Sequence, residues 1–310
     1  MKVSVAICTY NGERFLKKQI DSILNQTIAV DEIVVCDDCS SDGTKEILAK
    51  YSKQLPAIFR IHFNETNLRS VKNFEKAISL CQNEIIFLSD QDDIWCENKV
   101  ELFLEYFEKH PDIDVISSNA FIIDENDNII DKNTIWDVVS FLEKRKINYN
   151  YFKIFALIGN FATGANMAFR KDFIESTLPF PEKKFHHDEW IALISSSANK
   201  FNLIREKTSF YRIHESQQVG GVFFNKDKNT ESQLSARFNI FNENDSFRLL
   251  KRRFCILKEK RKKIFSINNY QKNEIFMKNL KLIDNYESYL KEKLKKKSFL
   301  KYQIFKFLYF

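Results

Sequence analysis

The sequence predicts an α/β fold whose mainly parallel sheet is flanked by helices, followed by a helical C-terminal appendage. Three observations lead to this prediction. Short apolar runs typical of strands alternate with segments of helical spacing in the N-terminal part of the chain. Two of these runs end in clusters of carboxylates, and the composition shifts towards Asn, Lys and Phe from about residue 225.

The alternation of elements starts at the N-terminus. Residues 2–8 are β-prone, and the helix predicted over 13–25 has apolar side chains at helical spacing, namely Phe15, Leu16, Ile20, Ile23 and Leu24. Strands are predicted near 2–8, 32–36, 57–63, 84–88 and 113–118, and helices near 13–25, 43–52, 70–81 and 97–109. Repeated strand–helix units of this kind produce a mainly parallel sheet with helices on both faces.

The later part of the chain is less regular. Residues 133–155 carry an amphipathic pattern that does not distinguish helix from strand, and 164–170 predict a short strand that returns to the same end of the sheet. A helix is predicted over 187–199 and a strand or hairpin over 201–213. The stripe Phe276, Leu280, Ile283, Leu290 and Leu294 indicates a further helix. We therefore divide the chain into a domain over 1–222 and a basic, mostly helical region over 223–310.

Composition limits the class of protein. At 310 residues, with 44% hydrophobic and 14% aromatic residues, the chain can bury a substantial core and is not broadly disordered. We find neither an apolar run of about 18 residues nor an N-terminal signal segment. The six cysteines are scattered, and the Cys36–Cys39 pair has no second metal-binding pair. A reducing, cytoplasmic location is expected, with peripheral attachment to the inner face of the membrane as one possibility.

The net charge of +6 is concentrated in residues 251–301, which contain several runs of Lys and Arg. Nucleic acid is one partner for such charge, but the acidic motifs elsewhere and the aromatic residues near the C-terminus favour an anionic membrane surface. The aromatic residues are Phe299, Tyr302, Phe305, Phe307, Tyr309 and Phe310. A purely solvated helical face is an equally good interpretation of the lysines, and no nucleic acid is expected.

The acidic clusters follow the predicted strands at 32–36 and 84–88. The second cluster has three carboxylates within four residues, Asp90, Asp92 and Asp93. Such carboxylates repel each other unless a cation or hydrogen-bond donors satisfy them. Oxygen ligands suit Mg²⁺ or Mn²⁺, which would hold a diphosphate. A solvated acidic turn is the alternative, but two such turns at the carboxyl ends of strands favour a site.

The motifs resemble those of family 2 glycosyltransferases with the A-type, Rossmann-like fold. The resemblance covers residues 1–222 and rests on SVAICTYNG at 4–12, VCDDCSSDGT at 35–44, LSDQDDIW at 88–95, HHDEW at 186–190 and YRIH at 211–214. The form of the third and fourth motifs is most similar to bacterial rhamnosyltransferase-like members. The resemblance implies inverting, metal-dependent transfer of a sugar, with rhamnose as one candidate, from a UDP- or dTDP-sugar. The acceptor would be a saccharide or lipid-linked saccharide of a cell-surface polysaccharide or lipopolysaccharide.

The resemblance also assigns roles on the donor side. Thr9, Tyr10 and Asn11 belong to the nucleotide-binding loop, where Tyr10 would stack near the pyrimidine. Asp38 would accept from the base N–H, and Asp90 would bind a ribose hydroxyl. Asp92 would ligate Mn²⁺ or Mg²⁺, and Asp93 is either a further ligand or a structural carboxylate at the start of the next helix.

On the acceptor side, Asp188 is the predicted general base, with Glu189 as the alternative. We expect the helix N-terminus to lower the pKa of Asp188 and keep it ionised. Arg212 and His214 would meet the diphosphate or metal from a loop that Gly220 and Gly221 allow to fold over the donor. His187 has two interpretations that the sequence leaves open: it orients Asp188, or it fills a polar position without a role in the reaction.

Two other functions compete with this prediction. A nucleotidyltransferase also uses paired carboxylates, but it needs a glycine-rich phosphate loop that the segment 9–12 does not supply. A catalytically weak nucleotide-sugar-binding protein is the second alternative, and the intact carboxylates argue against it. The Gln-x-x-Arg-Trp motif of processive synthases does not occur, so transfer of one sugar or a few is expected.

Overall fold

A computed structural model describes residues 1–181, 185–215, 222–240, 242–266 and 270–309. Within these residues an eight-stranded sheet has the order β3-β2-β1-β4-β8-β6-β9-β5, and a two-stranded sheet pairs β10 with β7. The strands are β1 Val3–Thr9, β2 Glu32–Asp37, β3 Phe59–Phe63, β4 Ile85–Ser89, β5 Ile94–Trp95, β6 Val115–Ile123, β7 Asn133–Thr134, β8 Met167–Arg170, β9 Phe201–Arg212 and β10 Phe223–Phe224.

Helices connect and cover these strands. They are α1 Leu16–Leu24, α2 Thr44–Gln54, α3 Arg69–Leu80, α4 Lys99–Lys109, α5 Val138–Lys144, α6 Tyr151–Leu157, α7 Lys171–Glu175, α8 His187–Ser197, α9 Lys228–Phe238, α10 Phe247–Phe265, α11 Glu274–Lys297 and α12 Phe299–Tyr309. Short 3₁₀ turns at Ile135–Asp137, Gly164–Asn166 and Tyr270–Lys272 precede three of the later elements. The predicted mixed α/β fold with flanking helices is confirmed.

The first half of the large sheet is parallel. Strand β1 pairs with β2 on one side and with β4 on the other, and β2 pairs with β3. The alternation of apolar residues explains why helices cover both faces. Val5 and Ile7 belong to one buried cluster, whereas Ala6 between them belongs to the other. Strands buried on both faces in this way are almost continuously apolar, as β1 and β2 are.

The second half of the sheet is mixed. Strand β8 lies between β4 and β6 and runs antiparallel to both, while β6 and β9 are parallel to each other. Strand β6 is longer than predicted, because its pairing with β9 continues as far as Ile123 through irregularities near Asn119. The ambiguous segment 133–155 contains two short helices, α5 and α6. Asn150 begins α6 by accepting from the Lys153 backbone N–H at 2.9 Å.

The C-terminal helices share a hydrophobic core with the rest of the chain. The ring of Trp190 in α8 lies 5.1 Å from that of Phe276 in α11, and Phe152 in α6 lies 6.0 Å from Tyr286. Phe254 in α10 belongs to the same buried cluster as Ala6 and Val34 of the central strands. Helices α10 and α11 therefore cover α6 and α8 as an outer layer.

Candidate active site

The carboxyl ends of β1, β2 and β4 bring the first three motifs together. These strands are neighbours in the sheet, and their register places Thr9 beside Asp37 and Ile7 beside Ser89. The loops that follow therefore leave the same edge of the sheet. This is the edge where open α/β sheets bind ligands.

The loops after β1 and β2 are joined by hydrogen bonds. Thr9 Oγ1 donates to Asp37 Oδ1 at 2.8 Å, and the Asn11 backbone N–H donates to Ser40 Oγ at 2.9 Å. The Asn11 side-chain oxygen in turn accepts from the Ser41 backbone N–H at 2.9 Å. Thr9 and Asn11 thus hold the two loops to each other.

Tyr10 projects from this pair of loops with an exposed side chain (48%). Its backbone is bound in both directions by Gln91: the Tyr10 N–H donates to Gln91 Oε1 at 2.8 Å, and Gln91 Nε2 donates to the Tyr10 carbonyl at 3.0 Å. A Cβ on Gly12 would lie 2.3 Å from Gln91 Oε1, so a larger residue there would displace the side chain that holds the Tyr10 backbone. The ring of Tyr10 is therefore presented to solvent by a fixed backbone.

The carboxylate of Asp38 is buried and accepts three hydrogen bonds from protein groups. Asn64 Nδ2 and the Leu68 backbone N–H donate to Oδ1 at 2.8 and 2.7 Å, and the Arg69 N–H donates to Oδ2 at 2.8 Å. The expected hydrogen bond from the base N–H to Asp38 stays a prediction. Asp38 fixes the turn before α3. A ligand could still donate to the carboxylate lone pairs that these three donors do not use.

The second acidic cluster lies at the end of β4, and its carboxylates oppose each other's ionisation. Burial, together with the charges of Asp92 and Asp188, raises the pKa of Asp90 to about 7. Burial and the neighbouring Asp92 and Asp90 also raise the pKa of Asp93. Asp90 is close enough to Asp188 for their charges to interact, so the donor-side and acceptor-side carboxylates predicted from sequence lie near each other.

Asp92 and Asp93 point in different directions. Asp92 Oδ2 contacts His214 Nε2 at 2.9 Å, across 122 positions of the sequence. Asp93 is buried, and its Oδ1 accepts from the Arg212 backbone N–H at 2.9 Å. Its other carboxylate oxygen, Oδ2, has no hydrogen-bond partner among the described residues.

The guanidinium of Arg212 is buried against protein groups. Nε donates to the Asp92 carbonyl at 2.7 Å, one terminal nitrogen contacts Asp127 Oδ1 at 2.5 Å, and the group lies 4.5 Å over the ring of Phe15. The expected contact of Arg212 with a diphosphate or metal stays a prediction. Gly220 and Gly221, the glycines of the predicted closing loop, lie outside the described residues.

Asp188 lies in the first turn of α8, facing the 3₁₀ turn at Gly164–Asn166. The Gly164 N–H donates to Asp188 Oδ2 at 3.2 Å. Burial raises the pKa of Asp188, although His187, the Gly164 N–H and Lys260 act in the opposite direction. Our expectation that the helix N-terminus would keep this pKa low is therefore wrong, because desolvation outweighs the favourable contacts.

His187 packs as a neutral ring beneath Asp188. Its ring stacks on Phe74 at 4.1 Å, and burial lowers its pKa to about 4. A Cβ on Gly164 would lie 2.5 Å from His187 Nε2. Neither ring nitrogen has a hydrogen-bond partner within the part of the chain that the structure describes. This packing fixes the distance between α8 and the turn that holds Asp188.

Two buried lysines beside the carboxylates were missed by the sequence analysis. Lys99 Nζ donates to the Ala165 carbonyl at 2.7 Å and lies 4.2 Å over the ring of Trp95. Lys260, on α10, forms an ion pair with Glu189. Lys99 comes four residues after the third motif, so its sequence position could have indicated a place in the site. Lys260 lies in a lysine-rich run, and nothing in that run distinguishes a buried lysine from an exposed one.

The described residues contain no group of three His, Cys, Asp or Glu side chains arranged to hold a metal ion. The adjacent Asp92 and His214 supply one oxygen and one nitrogen ligand, which suits Mn²⁺, and Mg²⁺ often takes only one or two carboxylates alongside substrate phosphates. The unpartnered Asp93 Oδ2 is a further acceptor nearby. The residues thus fit a metal held jointly with a diphosphate.

Comparison with known families decides the identity of the fold. Residues 4–178 match the model of glycosyl transferase family 2, which is more than half of the chain. The chain belongs to this family. That membership confirms the family resemblance seen in the motifs and places the chain among the glycosyltransferases, whereas the similarity to rhamnosyltransferases stays a prediction.

Two relatives of family 2 show the extent of the match. An uncharacterized glycosyltransferase of Nostoc sp. is 27% identical over 219 residues, which are 69% of this chain and 65% of that protein. One from Methanocaldococcus jannaschii is 30% identical over 216 residues, 68% of this chain and 70% of that protein. The alignments thus leave about a third of each relative unmatched.

Two solved structures share the family 2 fold. TarS 1–349 of S. aureus, in complex with UDP-GlcNAc, has a TM-score of 0.54 at 17% identity and covers 96% of this chain and 92% of that one. The mannosyltransferase PcManGT of Pyrobaculum calidifontis, in complex with GDP-Man and Mn²⁺, has a TM-score of 0.54 at 15% identity, covering 96% and 73%. At these identities the likeness concerns the fold.

Proposed function

We propose that this chain catalyses inverting, metal-dependent transfer of a sugar from a nucleotide diphosphate donor to a hydroxyl of a saccharide or lipid-linked saccharide. The product would belong to a cell-surface polysaccharide or lipopolysaccharide. The observation that carries the proposal is the convergence of Asp90, the Asp92–His214 pair and Asp188 on one space at the carboxyl edge of the sheet. These groups come from three family 2 motifs: Asp90 and Asp92 from LSDQDDIW, Asp188 from HHDEW and His214 from YRIH.

On the donor side, the proposed nucleotide is uridine or thymidine diphosphate. The exposed ring of Tyr10 would stack on the base, with Thr9 and Asn11 holding the loop in place. Asp38 would set the turn before α3 and offer a remaining lone pair to the base. Asp90 would accept a hydrogen bond from a ribose hydroxyl.

The proposed metal is Mn²⁺ or Mg²⁺. Asp92 and His214 would hold it, and Asp93 would stay a structural carboxylate that accepts from the Arg212 N–H. When bound, the metal neutralises charge that develops on the leaving diphosphate. Arg212 would act through the Asp92 backbone that it binds, rather than by touching phosphate itself.

Asp188 is the proposed general base. Its carboxylate would take the proton of the acceptor hydroxyl while the acceptor oxygen bonds to the anomeric carbon. The bond from that carbon to the diphosphate oxygen breaks, and its electron pair leaves with the nucleoside diphosphate. A raised pKa makes Asp188 a stronger base than an exposed aspartate, so that proton transfer at neutral pH is easier.

The test of this proposal is a donor panel in which products are followed by mass. UDP- and dTDP-sugars, with dTDP-rhamnose among them, are incubated with saccharide acceptors in the presence of Mn²⁺ or Mg²⁺. Transfer from at least one donor is expected, with release of the nucleoside diphosphate. Tight donor binding without transfer or hydrolysis would favour the catalytically weak binding protein, and release of pyrophosphate would favour a nucleotidyltransferase.

The proposed location is the cytoplasm, at the inner face of the membrane. All six cysteines are free thiols, as in a reducing compartment. Among the described residues no helix has the length and apolar character needed to cross a membrane.

Helix α12 supports such an association through its outward face. Tyr302 and Phe305 are buried, and Phe305 packs on Phe254 at 5.4 Å. The opposite face is apolar but exposed, most of all at Phe307 (90%), and Lys301 and Lys306 border it. The other exposed apolar residues of this face are Phe299, Leu300 and Ile304. The side chain of Tyr309 and the whole of Phe310 lie outside the described residues.

An apolar helix face bordered by lysines is typical of helices that lie in a membrane interface. Residues 293–310 contain six lysines and no acidic residue, so the charge is complementary to anionic lipid. Each lysine near such a surface contributes about 1 kcal/mol. The buried Tyr302 and Phe305 agree instead with the alternative of a packed helical appendage. The exposed Phe299 and Phe307 are the aromatic residues that remain for a membrane surface.

Vesicle co-sedimentation tests the membrane surface. Protein should pellet with phosphatidylserine-containing vesicles, less so in high salt, and weakly with phosphatidylcholine alone. The Leu300→Ser/Phe307→Ser variant should lose most of this binding, whereas Ile129→Ser, at an exposed residue outside the C-terminal region, should not. Equal pelleting of both variants, or a variant that changes only the oligomeric state, would assign the face to another role.

A further inference from the structure

Helix α10 of the C-terminal region reaches the start of α8, where the proposed base lies. Lys260 points from α10 into this junction, with its side chain only 4% exposed, and its ammonium pairs with the Glu189 carboxylate. The same ammonium lies 4.9 Å over the ring of Phe185. Lys260 is thus buried beside Asp188 and Glu189.

We propose that Lys260 is a positioning residue of the transfer reaction: by pairing with Glu189, it neutralises that carboxylate and leaves Asp188 as the only free carboxylate in the first turn of α8. This inference rests on the proposed function. It deepens that function by assigning a role in the active site to the C-terminal region.

The geometry separates the two neighbouring carboxylates. Asp188 accepts from the Gly164 N–H on the side of the sheet edge, whereas Glu189 turns towards α10. Without Lys260, Glu189 would be a partly buried carboxylate next to Asp188, and two adjacent carboxylates oppose each other's ionisation. Glu189 is therefore a poor alternative base, because its carboxylate already forms an ion pair with the Lys260 ammonium.

Burial and charge pairing act in opposite directions on the Lys260 ammonium. Burial lowers the pKa of Lys260 to about 7, with Lys263 acting in the same direction and Asp188 opposing it. A buried ammonium is stable only when it is paired. The Lys260 ammonium and the carboxylates of α8 therefore stabilise each other's charged forms.

Helix α10 itself is fixed well enough to place a charge. Arg253 forms a buried ion pair with Asp245 at 2.5 Å, and Arg261 Nε contacts Asp284 of α11 at 2.9 Å. Leu257, between these positions, is fully buried. The helix is therefore anchored on both sides of Lys260.

The experiment compares four variants of the full chain: Lys260→Met, Glu189→Gln, the double variant, and Lys262→Met as a matched control. Lys262 lies on the same helix with an exposed side chain. Lys260→Met should lower the kcat of transfer about tenfold or more, as loss of precise positioning does, and leave donor affinity by calorimetry unchanged. Lys262→Met should keep both values.

The double variant distinguishes positioning from a structural role. Removing both charges replaces an ion pair with neutral groups, which buried sites often tolerate. Its kcat should recover to within a few-fold of the wild type, and the double variant still provides a test where Lys260→Met does not fold. A double variant no faster than Lys260→Met, or a Lys260→Met enzyme with wild-type kcat, overturns the inference.

Failure of the proposed function gives a different result. A wild-type protein that binds no nucleotide diphosphate and transfers no sugar would refute the proposed activity, whatever the variants do. A wild type that transfers sugar normally beside an unaffected Lys260→Met refutes only the role of Lys260.

Discussion

The parallel half of the large sheet and its mixed half contribute to the site in different ways. In the parallel half, each loop at the edge directly follows its own strand, and hydrogen bonds such as Asn11 to Ser40 join neighbouring loops. Beside the mixed half, Gly164, Asp188 and Lys260 come from distant parts of the chain. Tertiary contacts bring them together: the Gly164 N–H donates to Asp188, and Lys260 pairs with Glu189. Local sequence order builds the donor side, whereas tertiary contacts build the acceptor side.

The two sides also differ in how their carboxylates are satisfied. Asp38 on the donor side accepts three hydrogen bonds from protein donors. Asp188 on the acceptor side has one backbone donor outside its own helix turn, and its pKa is raised by burial. A carboxylate that supports a loop needs donors, whereas one that must take up a proton needs to stay basic.

The largest expected effect comes from removing the proposed metal ligand of the donor side. Asp92→Ala should abolish measurable transfer, and a chelator should do the same to the wild type, because the leaving diphosphate would lose its charge compensation. Asp131→Ala, at an exposed surface ion pair with Lys226, is the control and should be fully active. Full activity of both the chelated wild type and Asp92→Ala would remove the metal from the proposal.

The next effect tests the acceptor side alone. Asp188→Asn should lower transfer by about two or more orders of magnitude while calorimetry shows unchanged binding of the nucleoside diphosphate. In the wild type, kcat should fall on the acid side at a pH above the usual range for an aspartate, because the raised pKa must be exceeded for the base to be ionised. Glu189→Gln is the comparison variant. If Glu189→Gln lowers the rate of transfer more than Asp188→Asn does, the base is Glu189.

A smaller effect concerns the packing that joins the two halves. Gly164→Ala places a Cβ 2.5 Å from His187 Nε2, so it should lower the free energy of unfolding by about 1–3 kcal/mol, as overpacking does. Chemical denaturation measures this. In Gly164→Ala/His187→Ala the two changes should be less than additive, since the imidazole no longer obstructs the new methyl group. Strict additivity would mean that the two residues do not press on each other.

The smallest effect is the pH dependence due to His187. Its pKa is about 4 when folded and 6.5 when exposed, so the unfolded chain binds the proton more tightly. The contribution of the neutral ring to stability is complete above pH 6.5 and is lost as the pH falls towards 4. At pH 5.5 the wild type should have lost about 1 kcal/mol relative to His187→Gln, each compared with its own value at pH 7.5. Parallel pH curves for the two proteins would contradict the burial of a neutral ring.

The sequence predicted the parallel half of the sheet closely, because there the pattern is local. Strand β2 was expected at 32–36 and extends over Glu32–Asp37, and α3 was expected at 70–81 and extends over Arg69–Leu80. The continuously apolar strands and the spacing of apolar residues in the helices are visible in a single segment. The motifs fall at the ends of these strands, so the candidate residues of the donor side lie at one edge of the sheet.

The mixed half was harder to predict. Periodicity does not show that β8 inserts antiparallel between β4 and β6, nor that α10 presents Lys260 rather than its neighbours to the interior. The pKa of Asp188 was expected to be lowered and is raised, because desolvation depends on what surrounds α8 and not on its N-terminus alone. Such properties are set by contacts between segments far apart in the sequence.

The shared core of α6, α8, α10 and α11 has a consequence during synthesis on the ribosome. The strands of the large sheet and α8 are complete by Arg212, but the rings of Trp190 and Phe152 reach their partners Phe276 and Tyr286 only when α11 has emerged. Until then the nascent chain presents an uncovered apolar surface, the kind of surface that favours aggregation and chaperone binding. A chain terminated prematurely after β9 should therefore be a client of the quality-control machinery rather than a shorter enzyme.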